Sequence, residues 1–256
     1  MTAIDLDRLN SATQYPSIET YHQLDPKTGG LLEVATPFEG EVLLTEKVDG
    51  AGGRIILMPD GDYFIGSRQE ILYARGDRII NPTSSIVETL LPIAERLERL
   101  DSTDQFLQVL YLEVYGHMIG ANGKHYTSTK QVGQRLFDLA FIPLNVLEME
   151  RERIASWRQH GGQRWATEAV LTRCAAAENL ELTPRLGTVA GEGLPTTIDD
   201  MHKFLSAMLP MTLVALDEGA GLRSEGIVLR SNDRTTIAKA RFQNYERTIR
   251  LRDQKK

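Results

Sequence analysis

The stretch EVLLTEKVDGAGGRIILM, Glu41 to Met58, bounds the fold more tightly than any other part of the chain. Its first eight residues read as an apolar strand, glycines follow at once, and RIILM resumes as a second strand, leaving no length for a helix between them. The pattern recurs further on. YFIGS is a strand that runs into a loop carrying Arg68, FLQVLYLEVYG is a buried strand, and RLFDLAFI is another after the Gly-punctuated loop GHMIGANGKHY. GIVLRS and TIAKARF are two short strands near the end. Helical periods are interspersed irregularly. Ile86, Leu90, Ile93, Leu97 and Leu100 make an amphipathic stripe over 84–100, where Pro92 should kink or restart the helix. Residues 147–177 carry a helical pattern with a charged face, and Thr197 opens a helix with Asp200 as its capping partner and Pro210 as its stop. Such a mixture without strict βα alternation predicts an α+β class rather than a doubly wound sheet. The expected organisation is one domain over 1–256, with 1–40 as an irregular amino-terminal segment packed on it and 242–256 as a short basic tail.

Composition excludes several classes. With 256 residues, 41% hydrophobic and 25% charged, the chain can bury a full core and lacks the signature of disorder. No apolar run approaches the roughly 20 residues that span a bilayer, and MTAIDLDRLNS has neither the basic nor the apolar region of a leader, so no membrane role and a cytoplasmic setting are expected. Cys174 is the only cysteine, which excludes an intrachain disulfide and a thiolate metal cage and leaves it as a buried filler. The net charge of -6 hides an asymmetry. From Arg223 onward ten Lys/Arg stand against four Asp/Glu. That end reads either as a face for phosphates or as a solvated basic tail.

Several common chemistries have no motif here. There is no GxxxxGK[ST] loop, no GxGxxG after a strand, no HExxH and no GxSxG, and His22, His117, His125, His160 and His202 are scattered without ligand spacing. What remains is a set of charged residues at the ends of apolar strands. Lys47 lies on the first strand, Asp49 two residues on has the same facing, and Gly50 opens a turn where backbone can approach a ligand closely. Only a neutral amine is a nucleophile, and an apolar site with cations nearby raises its share. Alone, this KxDG string also suits a surface strand ending in a polar turn. It is followed in order by Glu113 in YLEVYG, Phe137 and Asp138 in RLFDLAF, Glu225 in RSEGIVLR, and Lys239 with Arg241 in IAKARF.

In that order these motifs resemble those of the covalent nucleotidyltransferases, the superfamily of polynucleotide ligases and capping enzymes. The ATP-dependent RNA ligases are most similar, in their nick-sealing phage-type branch, through EKVDG, GSR, EVYG, FDLAF, SEGIVLR, AKAR and an early YPSI. The resemblance implies a nucleotidyltransferase (ATP-grasp-like) core of antiparallel sheets flanked by helices; such ligases often carry a further carboxy-terminal domain, but only 15 residues follow Arg241, so no carboxy-terminal OB domain is expected. It implies that Lys47 attacks the ATP α-phosphorus to give lysyl-AMP, that AMP passes to a 5′-phosphate end, and that a 3′-hydroxyl displaces it. By the same resemblance Glu46 and Phe137 hold adenine, Asp49 and Gly50 belong to the nucleotide site, and Arg68 and Glu113 grip the ribose and phosphate side. Glu113 and Glu225 are the carboxylates near Mg²⁺ or Mn²⁺, while Lys239 and Arg241 clamp the α-phosphate and depress the pKa of Lys47. Five residues after the nucleophile, where the family usually has Arg or Asn, this chain has Gly52, and Arg54 on the same strand face is the expected substitute. The implied partner is RNA with 5′-phosphate and 3′-hydroxyl ends, gripped by the basic end or by the surface of a protein partner. Four rivals remain: a minimal DNA ligase, a transferase with another acceptor, an ATP-grasp carboxylate ligase, and a catalytically reduced nucleotide- or RNA-binding module.

Overall fold

The computed structural model of the chain describes residues 4–80, 85–99, 105–120 and 122–254. In chain order its elements are α1 (Leu6–Thr13), β1 (Glu19–Thr20), β2 (His22–Leu24), β3 (Leu31–Ala35), β4 (Glu41–Lys47), β5 (Ala51–Leu57), β6 (Tyr63–Ser67), β7 (Ile71–Ala74), β8 (Asp77–Arg78), α2 (Ile86–Ala94) and β9 (Phe106–Gly116). They continue with β10 (Val132–Pro143), α3 (Arg151–Gln159), β11 (Arg164–Trp165), α4 (Glu168–Ala177), β12 (Arg185–Ala190), α5 (Ile198–Met208), β13 (Gly226–Ser231), β14 (Ile237–Arg241) and α6 (Phe242–Asp253). Two compact units result: Met1–Pro16 with Gly50–Ala121 and Val132–Leu182, and Ser17–Asp49 with Asn122–Gln131 and Thr183–Lys256.

The first unit is built on a seven-stranded antiparallel sheet in the order β11-β10-β9-β5-β6-β7-β8. Helices cover both faces. Ile55, Leu110 and Leu112 pack with Leu90 and Ile93 of α2 and Leu171 of α4, and Ile56, Val109 and Tyr111 pack with Leu9 of α1 and Ile154 of α3. A strand buried on both sides has no polar face to alternate with, which is why FLQVLYLEVYG is apolar nearly throughout.

The second unit has a five-stranded sheet in the order β1-β14-β13-β4-β12, antiparallel except for the short β1–β14 pair, and a separate β2–β3 hairpin. Here one face carries the core. Val42, Leu44, Ile227, Leu229, Ala238 and Ala240 pack against Ile198, Met201 and Leu205 of α5 and Phe242 and Tyr245 of α6. Each such leucine or isoleucine contributes about 1.5–3 kcal/mol by leaving water. The opposite face of β4, with Leu43, Thr45 and Lys47, is only half-buried.

Several expectations are corrected. The two strands on either side of the glycine turn form as expected but do not pair with each other: β4 pairs with β12 and β13, and β5 with β6 and β9. A Cβ at Gly50 would stand 2.2 Å from the Val114 carbonyl oxygen, so the entry to β5 requires glycine. The opening segment is structured. Its α1 is capped by the Asp5 carboxylate, which accepts the Asp7 and Arg8 amides, and it also supplies β1, β2 and β3, all too short to show a period. The helical pattern of 147–177 is two helices, because Gly161, at φ +77, ends the first and β11 pairs with β10 before α4 begins. Pro92 does not restart the helix, since α2 runs through it to Ala94; Ser84 and Leu100 fall outside the described residues. The basic tail is largely α6, which turns Phe242, Tyr245 and Thr248 inward at a spacing of three, and only Lys255 and Lys256 of it are not described. By contrast, α5 begins as expected, with Thr197 Oγ1 accepting the Asp200 amide at 3.2 Å. No helix among the described residues is long and apolar enough to cross a membrane.

Candidate active site

In the second unit the strand ladder brings the expected cations into register. Lys47 on β4 pairs with Gly226 on β13, which pairs with Arg241 on β14, and Thr45, Val228 and Lys239 form a parallel row two residues away. Residues directly opposite share a face, and so do residues two apart, so Lys47, Lys239 and Arg241 all lie on the side of the sheet away from the core. Glu225 stands one residue before β13. Its Oε2 lies 2.5 Å from Lys47 Nζ and its Oε1 3.5 Å from Arg241 Nη1, so one carboxylate joins the two cations. All three side chains are partly buried, at 24%, 15% and 33% exposure for Lys47, Glu225 and Arg241, which strengthens the pairing relative to a surface contact. Between the two cations the row must be bare. A Cβ on Gly226 would lie 2.0 Å from the Ala240 carbonyl oxygen.

Asp49 follows the last rung of β4. Its Oδ2 accepts from Asn122 Nδ2 at 2.7 Å and its amide donates to the Tyr126 hydroxyl at 2.7 Å, while Ser224 Oγ donates to the Lys47 carbonyl at 3.2 Å. Sequence reasoning singled out none of these three partners. Ser224 had only its adjacency to Glu225 as a signal, and Asn122 and Tyr126 sit in a loop without period. Glu46 is a correction. Alternation along β4 places it with Val42 and Leu44 on the core side, 1% exposed, where its carboxylate accepts from Thr212 Oγ1 at 2.5 Å and from the Leu213 amide at 2.9 Å. It secures the segment after α5 and does not share the face of Lys47.

In the first unit, Glu113 on β9 lies opposite Gly52 on β5 and Arg135 on β10. A Cβ on Gly52 would sit 3.9 Å from both Glu113 Oε2 and Arg68 Cβ, so these two expected residues flank the glycine. Glu113 is half-buried and Arg68 exposed. Phe137 is the extra residue of a bulge in β10, since Leu136 pairs with Leu112 and Asp138 with Tyr111. A bulge re-aims a side chain and is common beside active sites. Tyr15 meets the Phe137 ring edge-on at 5.1 Å, also contacts Tyr111 and Trp165, and donates its hydroxyl to Asp138 Oδ2 at 2.8 Å. Arg54 is the second correction. It shares a face with Gly52, but its guanidinium is 1% exposed and donates to Asn10 Oδ1 in α1, and burial lowers its pKa to about 10. The bond to α1 holds it in the interior, so it does not fill the place beside Gly52.

Among the described residues no group of three or more His, Cys, Asp or Glu side chains gathers to hold a metal. His22 is a satisfied core histidine, with Nδ1 2.8 Å from the Tyr245 hydroxyl and Nε2 2.9 Å from the Thr196 carbonyl. Cys174 lies in the core, where burial pushes its thiol up to about 11. The basic end is partly neutralised internally: Arg252 pairs with Glu33 and Asp199, Arg223 with Glu246, and Arg241 with Glu225.

Comparison with known proteins completes the picture. The RNA ligase family matches residues 40–243. Solved structures of the Naegleria gruberi RNA ligase share the fold. A mutant with AMP and Mn has a TM-score of 0.51 at 14% identity, covering 90% of this chain and 62% of that one. A mutant with ATP and Mn has a TM-score of 0.52 at 13% identity, covering 90% and 63%, and the RNA ligase with pyrophosphate has 0.53 at 13%, covering 93% and 64%. The chain thus spans less than two thirds of the length of these structures. No curated protein gives a significant sequence match. The fold is a mixed α+β fold of the nucleotidyltransferase type.

Proposed function

This chain belongs to the RNA ligase family, and from that premise we propose that it is an ATP-dependent RNA ligase of the nick-sealing branch, working through a covalent lysyl-AMP. The observation that carries the proposal is the Lys47–Glu225–Arg241 cluster at the end of β4 and β13, inside the stretch that the family matches. Lys47 attacks the α-phosphorus of ATP; a P–N bond forms, the bond to the bridging oxygen breaks, and pyrophosphate leaves. The ion pair with Glu225 belongs to the ammonium form, whereas the attacking amine is neutral. Glu225, at 2.5 Å, is the base in reach of that proton. Lys239 and Arg241, on the same face, stabilise charge as it builds on the α-phosphate.

Arg68 and Glu113, which flank Gly52, take the ribose and phosphate side, Asp49 and Gly50 shape the turn next to the nucleophile, and Phe137 stacks on adenine. The carboxylates of Glu113 and Glu225 are oxygen donors that suit Mg²⁺ or Mn²⁺. A hard cation of this kind is held by one or two carboxylates, water and nucleotide phosphates. Such an ion supplies neutralising charge at the phosphates. AMP then passes to the 5′-phosphate of an RNA end, and a 3′-hydroxyl attacks that activated phosphate to seal the strand and release AMP.

Incubation with α-labelled ATP and Mg²⁺ or Mn²⁺, followed by a denaturing gel, tests the first step. Label on the wild type and none on Lys47→Ala is expected, and an unlabelled wild type with either ion overturns the reading. A chase with nicked RNA, nicked DNA and single-stranded ends decides the acceptor; sealing of nicked RNA is expected, and preference for nicked DNA would make this a minimal DNA ligase.

A further inference from the structure

Lys47 is the last residue of β4 and its pairing with Gly226 is the last rung of the β4–β13 ladder. Strand ends open most readily, so a nucleophile in that position needs other anchors to keep one geometry. The structure supplies them on both sides of Val48. Before it, the Ser224 hydroxyl, 4% exposed, holds the Lys47 carbonyl; after it, the Tyr126 hydroxyl oxygen accepts the Asp49 amide and Asn122 holds the Asp49 carboxylate. Tyr126 is itself anchored. Its side chain is fully buried, its carbonyl accepts the Leu216 amide at 2.7 Å, and its amide donates to the Gly123 carbonyl at 3.1 Å. Burial, with the carboxylates of Glu46, Asp49 and Glu225 nearby, pushes its hydroxyl well above the usual phenol range, so it stays neutral.

We propose that Tyr126 is a positioning residue for Lys47, acting through the Asp49 amide, and that Asn122 and Ser224 complete the same clamp. The inference rests on the ligase reading of the site. Its content is that the glycine-punctuated loop holds the backbone of the nucleophile so that Nζ presents one orientation to the α-phosphorus. Misplacement by about 1 Å costs as much as a hundredfold in rate.

Tyr126→Phe keeps the ring and removes the acceptor. In single-turnover labelling with α-labelled ATP it should slow lysyl-AMP formation at least about tenfold while the ATP affinity stays within about twofold. Asn122→Ala, at a partly exposed position, should slow it less and serves if Tyr126→Phe fails to fold. An independent readout is hydrogen exchange at the Asp49 amide, which should be protected in the wild type and accelerated in Tyr126→Phe. Unchanged exchange, or accelerated exchange with an unchanged labelling rate, overturns the proposal. So does a loss confined to ATP affinity. A wild type that takes no label overturns the ligase reading instead, and the exchange experiment still shows whether the Asp49 clamp exists.

Discussion

The cluster around Lys47 and the cluster around Phe137 are made by different means. In the first, three strands in register set the spacing of Lys47, Gly226 and Arg241, and a single carboxylate joins the cations at either end. In the second, a bulge breaks the register, and Tyr15, edge-on, and Tyr111, tilted, set the ring instead. The difference follows from the forces involved. Charge interactions and bond formation depend steeply on distance and direction, so they need the rigidity of a ladder. A ring that stacks on a base gains its energy over a broad area and tolerates a few tenths of an ångström. On this basis, changes in the Lys47 cluster should appear in the rate of adenylylation and changes in the Phe137 cluster in ATP affinity.

The largest effect should come from Lys47→Ala, which is expected to abolish labelling while the melting temperature holds, because the side chain is partly exposed and outside the core. Label on that variant would mean that another residue is the nucleophile. Next, Lys239→Ala should slow labelling at least about tenfold with little change in ATP affinity, since it removes a charge that matters most in the transition state. A loss expressed only as weaker ATP binding would erase the contrast between the clusters. Phe137→Ala should act the other way. Loss of one stacking contact, worth about 0.5–1.5 kcal/mol, should weaken ATP binding several-fold and leave the saturated labelling rate nearly unchanged. Unaltered affinity in a direct binding titration would remove Phe137 from the nucleotide site.

The strands that carry these clusters were legible because each is a compact apolar run: β4, β9, β13 and β14 lie where their patterns put them. So were Lys239 and Arg241, two apart on one strand, and the Thr197 cap of α5. What was missed had either no period or a tertiary cause. That β4 and β5 belong to different sheets depends on their partners β9 and β13, far along the chain, and not on the turn that joins them. The inward facing of Glu46 was implicit in the alternation of Val42, Leu44 and Glu46, yet a carboxylate next to Lys47 drew a ligand role from resemblance. Arg54 shares its strand face with Gly52 as expected, but only the position of α1 shows that this part of the face is covered. Tyr126 had no signal at all, because its importance lies in one hydrogen bond across 77 residues of chain.

The smallest predicted effect concerns the glycine between Glu113 and Arg68. At Gly52 a Cβ would meet its nearest neighbours at 3.9 Å, ordinary van der Waals contact, and the residue does not occupy the left-handed region that favours glycine. Gly50, two residues earlier, is the opposite case, where a Cβ would collide with backbone at 2.2 Å. Gly52→Ala should therefore stabilise the protein by about 0.4–1 kcal/mol, mainly by restricting the unfolded chain, and raise the melting temperature by a few degrees. Because a methyl group there displaces neither Glu113 nor Arg68, labelling rate and ATP affinity should both stay within about twofold. A stabilised variant with much weaker ATP binding would show that the nucleotide itself comes closer to Gly52 than a methyl group permits. The Glu113 side of the first unit would then depend on close backbone approach as strictly as the Lys47 cluster depends on Gly226.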